Sequence, residues 1–142
     1  MNNLKILEQD TVILDMDDFE IIETKFDIKF PKDLREFVFK YEGAFLGSLY
    51  YNGKPVFKEV LVLLKNENFA SIEAIMEGHS LNQISGFIPF AIDSGGWDYN
   101  ISINEPTFGQ VWVNKFDGGD DDTMVYVAPS LEDFINGLKP DV

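Results

Sequence analysis

The sequence has no cysteine. Disulfides, thiolate nucleophiles and sulfur-ligated metal sites are thereby excluded. Histidine is nearly as scarce: His79 stands alone, so a histidine-based metal centre has no second ligand to draw on. No apolar run approaches the roughly 20 residues that a membrane-spanning helix needs; the longest candidate, Val60 to Leu64, is the size of a strand. Met1 to Asp10 mixes charged and apolar residues and lacks the apolar core of a signal peptide, so a cytoplasmic protein is expected. Bases are few, 11 against 25 acids, giving a formal charge of −14. That balance argues against nucleic-acid or anionic-membrane partners, whose phosphates call for Lys and Arg.

What is present suits a folded domain. Apolar residues make up 45% of 142 residues and aromatics 14%, enough for one sizeable core. Beyond Lys65 the bases thin to Lys115 and Lys139 while acids continue, so the second half should carry a strong negative field. Such a field serves solubility, or it steers a basic partner.

Periodicity then places the elements. Asp17-Asp18 offers capping and first-turn charge, and Phe19, Ile22 and Phe26 come next at helical spacing, predicting a helix from about Asp18 to Lys25. Pro31 suits a first helical turn, Leu34, Phe37, Val38 and Tyr41 form an apolar stripe, and Gly43 supplies a terminating position. Leu49 to Tyr51, Asn52-Gly53 and Val56 to Lys58 read as a hairpin with a type I′ turn. Val60 to Leu64 reads as a strand, and Glu67 to Gly78 as a helix with Phe69, Ile72, Ile75 and Met76 on one side and Gly78 closing it.

Phe87 to Ala91 reads as a buried strand, with Pro89 marking an edge or a bulge. Tyr99, Ile101 and Ile103 alternate with Asn100, Ser102 and Asn104, which predicts a strand with one wet face. Gln110 to Phe116 and Met124 to Val127 are further strands, and Ser130 caps a last helix carrying Leu131, Phe134, Ile135 and Leu138. The class is α+β: a single twisted, mainly antiparallel sheet with flanking helices, one domain over residues 1–142.

Three places could carry function. His79, just past Gly78, sits where a helix C-terminus favours a cation. Asp117-Gly118-Gly119-Asp120-Asp121-Asp122 is carboxylate-rich, but its glycines precede the acids and it does not match the order of a calcium loop. A solvated turn between two strands accounts for it better, and such a turn can meet a protein. In Asp93-Ser94-Gly95-Gly96-Trp97-Asp98 the glycines permit positive φ and close approach, and Trp97 is either a contact residue or a lid on the core. No phosphate loop and no nucleophile elbow is present. No catalytic residue, cofactor or metal is called for.

Three segments in succession carry a family resemblance. They are Phe30 to Phe37 with Tyr41-Glu42-Gly43; Phe87 to Ala91 with Asp93 to Gly96; and Gly109-Gln110-Val111-Trp112 leading to Ser130 to Ile135. Over about residues 18–138 the chain resembles the Smi/Knr family of the SUKH superfamily. The resemblance implies a twisted antiparallel sheet with flanking helices and no catalytic activity. It implies an immunity protein, an antitoxin that binds and neutralises a cognate polymorphic toxin such as a nuclease or deaminase. The alternative it carries is a non-catalytic scaffold of the fungal cell-wall-regulator type. A small-ligand binder or unrecognised enzyme is a third reading, which a deep pocket with convergent polar groups would favour. Asp93, Gly95 and Gly96 match the family's turn motif, and Trp97 stands before Asp98 where relatives often run straight into the next strand. Combined with the acidic charge, this yields an expected partner-facing set: Asp93, Gly95, Gly96, Trp97, Asp98, Asp117, Asp120, Asp121 and Asp122, presented to a basic protein surface.

Overall fold

Phe19 and Ile22, then Leu34, Phe37, Val38 and Tyr41, all turn into the core, as their helical spacing requires. The computed structural model, which describes residues 3–10, 15–117 and 123–140, carries them on α1 (Asp18–Phe26) and α2 (Lys32–Tyr41). Gly43 comes after α2 at φ +70°, and a Cβ there would overlap the Asp10 carbonyl oxygen, so glycine is the residue that lets the chain turn back into the sheet.

Among the described residues the sheet has seven strands, ordered β1 (Glu8–Gln9), β2 (Ala44–Phe45), β5 (Glu59–Val60), β6 (Phe87–Ile92), β7 (Asp98–Ser102), β8 (Val111–Asn114) and β9 (Met124–Ala128). Every pairing in it is antiparallel. A separate hairpin, β3 (Tyr50–Tyr51) and β4 (Lys54–Pro55), turns at Asn52 and Gly53, both at positive φ (51° and 76°), as a type I′ turn demands. The remaining helices are α3 (Ile72–Leu81) and α4 (Leu131–Asn136). On one face of the sheet Phe90 meets Phe37 of α2 at 5.8 Å, and Tyr99 stacks on Phe134 of α4 at 5.9 Å. Alternation sends Asn100 to the opposite face, where it meets His79 of α3.

Three expectations change, and one open alternative is resolved. The strand expected over Val60–Leu64 contributes only its first residue to the sheet; Val62 instead makes a parallel bridge to Ser71. The helix expected from Glu67 begins at Ile72, because Asn66 Oδ1 accepts the N–H groups of Asn68 and Phe69 (2.9 Å each) and holds a turn there. Phe69 is consequently exposed, and Gly78 lies inside the helix rather than beyond its end. Pro89 sits in a strand paired on both sides, with a register shift between Pro89 and Ala91, so of edge and bulge the second is realised. The face of β7 expected to be wet is dry: Asn100 and Ser102 are both fully buried, Asn100 under α3.

Candidate functional site

Asp93 builds the loop between β6 and β7. Its Oδ1 accepts the N–H groups of Gly95 and Trp97, each at 2.9 Å, and its carbonyl accepts from Gly96 at 3.1 Å. Gly96 lies at φ +89°, which favours glycine, whereas Gly95 does not. The pairing of Asp98 with Asn114 then sets this loop beside the end of β8. Trp97 Nε1 donates to Asp117 Oδ1, and Lys115 Nζ stands 5.2 Å from the centre of the Trp97 ring. Trp97 is half-buried and packs on the core, so it is a lid with an exposed rim.

Among the expected partner-facing residues, Asp93, Gly95, Gly96, Trp97 and Asp117 form one ridge. Asp98 departs from that expectation, being only 4% exposed with its carboxylate turned inward. The physical reason is strand alternation: Trp97 and Asp98 point to opposite sides, and the Asp98 side lies under α3. Asp120, Asp121 and Asp122 lie outside the described residues.

The same alternation gives the ridge two flanks. On one side Asp93, Ser94, Trp97 and Lys115 line a cleft of about 490 Å³ shared with Tyr50, Tyr51, Lys54, Lys58, Tyr99 and Tyr126. Burial, and after it the Asp93 charge, pushes the Tyr99 phenol far up, so it stays a neutral hydrogen-bond donor at any physiological pH. On the other side Gly96, Asp98, Asn114 and Phe116 line a groove of about 740 Å³ closed by Ile75, Gly78 and His79 of α3.

At the base of that groove His79, 4% exposed, places Nε2 at 2.9 Å from Asn100 Oδ1 and 3.2 Å from Asp98 Oδ2. Asn100 Nδ2 donates to the Asp98 carboxylate at 2.8 Å, which leaves Oδ1 as the acceptor and assigns the proton to Nε2. Burial presses the His79 pKa down; the hydrogen bonds to Asp98 and Asn100 and the Asp98 charge outweigh it, and the pKa ends above the ordinary histidine value. With Nε2 engaged twice, that atom has no free direction in which to exchange a proton with a substrate. Sequence reasoning saw His79 only as a partner for its helix dipole. The missed signal was the polar alternation of Asn100 and Ser102, which marked a polar sheet face without saying what covers it. Among the described residues no group of three or more His, Asp or Glu is arranged to hold a metal ion. No helix among them is long and apolar enough to cross a membrane.

The β6–turn–β7 unit, the strands after it and the capped helix α4 fall within residues 14–137, which match the SMI1 / KNR4 family (SUKH-1). The chain belongs to this family. Membership in SUKH-1 brings with it protein-partner binding in general terms, compatible with an immunity protein or a regulator. No curated protein matches this SUKH-1 chain in sequence. Two of the residues that carry the sequence resemblance shape the ridge: Asp93 by its side chain and Gly96 by its backbone.

Proposed function

We propose that this SUKH-1 protein is an immunity protein that neutralises a cognate toxin with a basic surface, a nuclease or a deaminase. The observation that carries the reading is the adjacency of the 93–97 loop to Trp97's hydrogen-bond partner Asp117, at one end of a rigid sheet, in a protein of charge −14. A nuclease groove is built to receive phosphates, and carboxylates on a firm ridge can stand in for them. Complementary charge raises the encounter rate and rejects wrong partners. Asp98 does not contribute to the ridge, since its carboxylate faces the groove beneath α3 instead.

The test is titration of the toxin encoded beside this gene against the wild type and a quadruple variant carrying Asp117→Lys, Asp120→Lys, Asp121→Lys and Asp122→Lys. Loss of two or more close charge pairs should weaken binding by roughly 2–5 kcal/mol and slow association most at low salt. Unchanged affinity in the variant would remove the ridge from the interface. Absence of any neighbouring toxin, with capture of the cell's own wall-synthesis proteins, would favour the regulatory scaffold instead.

A further inference from the structure

The groove beneath α3 has two polar atoms at its base that the protein leaves under-matched. Asn114 is 5% exposed, and its Oδ1 has no hydrogen-bond partner among the described residues. Asp98 Oδ2 receives Asn100 Nδ2 at 2.8 Å and His79 Nε2 at 3.2 Å, but among the described residues Oδ1 receives only the long contact from Asn114 Nδ2 at 3.4 Å. Buried acceptors without donors are uncommon, because water has been removed from them and nothing has replaced it. Both atoms would be completed by N–H donors entering along the groove.

The walls narrow the choice of donor. Ile75, Ile84 and Met124 supply apolar contact, and Phe116, 54% exposed, adds an aromatic ring at the mouth. Gly78 leaves its part of the helix wall open, since a Cβ there would meet nothing within 4 Å. Of the lining residues, His79 and Asp98 are the ionisable ones, and Asp98 Oδ1 is the carboxylate oxygen that His79 does not engage. A planar cation with several divergent donors on an apolar stem fits this set. An ammonium, more tightly hydrated and without a flat face, fits it less well.

We propose that the groove between α3 and the sheet seats one arginine side chain of the protein partner, its guanidinium donating to Asp98 Oδ1 and Asn114 Oδ1 and its plane lying against Phe116. This rests on the reading that the partner is a basic protein. It adds to the ridge a specific anchor on the flank where the expected surface residue Asp98 was found turned inward.

A ¹⁵N-labelled sample of the full chain, held above the histidine titration range, is titrated with N-acetylarginine methylamide, and in parallel with the lysine and norleucine analogues. Saturable shifts at the Gly78 and Gly96 amides and the Asn114 side-chain amide are expected, with arginine preferred over lysine by roughly tenfold. Gly78→Leu, which fills the groove from a helical position with free space around it, should abolish them. Asp98→Asn should weaken them about tenfold, as loss of a charge-assisted contact does. Shifts scattered over surface carboxylates, equal response to lysine, or survival of the response in Gly78→Leu would each overturn the proposal. The two readings fail separately. Arginine seating without any toxin complex would leave the groove assigned and the immunity role refuted. A toxin complex as tight with Gly78→Leu as with wild type would do the reverse.

Discussion

A polar side chain deep in a protein must find its match there, and His79 finds two, Asp98 and Asn100. Its raised pKa means that the folded state favours the protonated imidazole. The contribution to stability is therefore complete below the unfolded-state value of about 6.5 and is lost as pH climbs through the higher folded-state value. His79→Leu removes this dependence and leaves Asn100 Oδ1 without its partner. The expected outcome is a loss of about 1–3 kcal/mol on the acidic side of that window, with a smaller deficit above it. Urea unfolding curves across neutral pH check it; an identical pH slope in the two proteins would show that the pair does not titrate on unfolding. The presence of a histidine was legible from the sequence. Its partners were not, because Asp98 and Asn100 reach it only through the packing of α3 on the sheet.

At the scale of elements, α3 repays comparison with its own sequence. Ser71 caps it, its Oγ accepting the Ala74 N–H at 3.0 Å, and the caps at both Ser71 and Ser130 obey local rules. Lys25 of α1 reaches across to Glu73 and Glu77 at 2.8 Å each, and its hydrogen bonds hold both carboxyls below their ordinary pKa. Gly78 is ambiguous in sequence, since glycine ends helices but also occurs inside them; here the helix runs on to Leu81, with His79 hydrogen-bonded to Asn100. A mid-helix glycine with open space around it can be improved. Gly78→Ala should stabilise the protein by about 0.5–1 kcal/mol, while Ser71→Ala should cost about 1 kcal/mol. Calorimetric melting of the two variants checks both signs, and a lowered melting temperature for Gly78→Ala would mean that the helix wall is tighter than its geometry indicates.

At the scale of the whole molecule the net charge dominates. With 25 acids against 11 bases, repulsion among carboxylates acts on the folded chain at neutral pH. The ion pairs formed by Lys25, Arg35 and Lys65 offset only a part of it. Raising ionic strength from low to physiological should therefore stabilise the fold, by up to about 1 kcal/mol, the scale of exposed charge interactions. Thermal melts in a salt series decide the sign; a falling melting temperature would mean that the ion pairs outweigh the repulsion.

The sequence by itself determined the local matters. Apolar spacing, caps and the Asn52-Gly53 turn act between residues a few positions apart, and with the resemblance they were enough for the α+β class, the family and the mainly antiparallel sheet, though not for the separation of the β3–β4 hairpin from it. Tertiary structure decided what lies over what. Period-two alternation in β7 separated two faces but could not tell water from a covering helix, and α3 settled it for Asn100 and Asp98, which it covers, while Ser102 is buried against Thr107. Contacts such as Trp97 with Asp117, or α3 with the sheet, join residues far apart in the chain, and no pattern along the sequence carries that information.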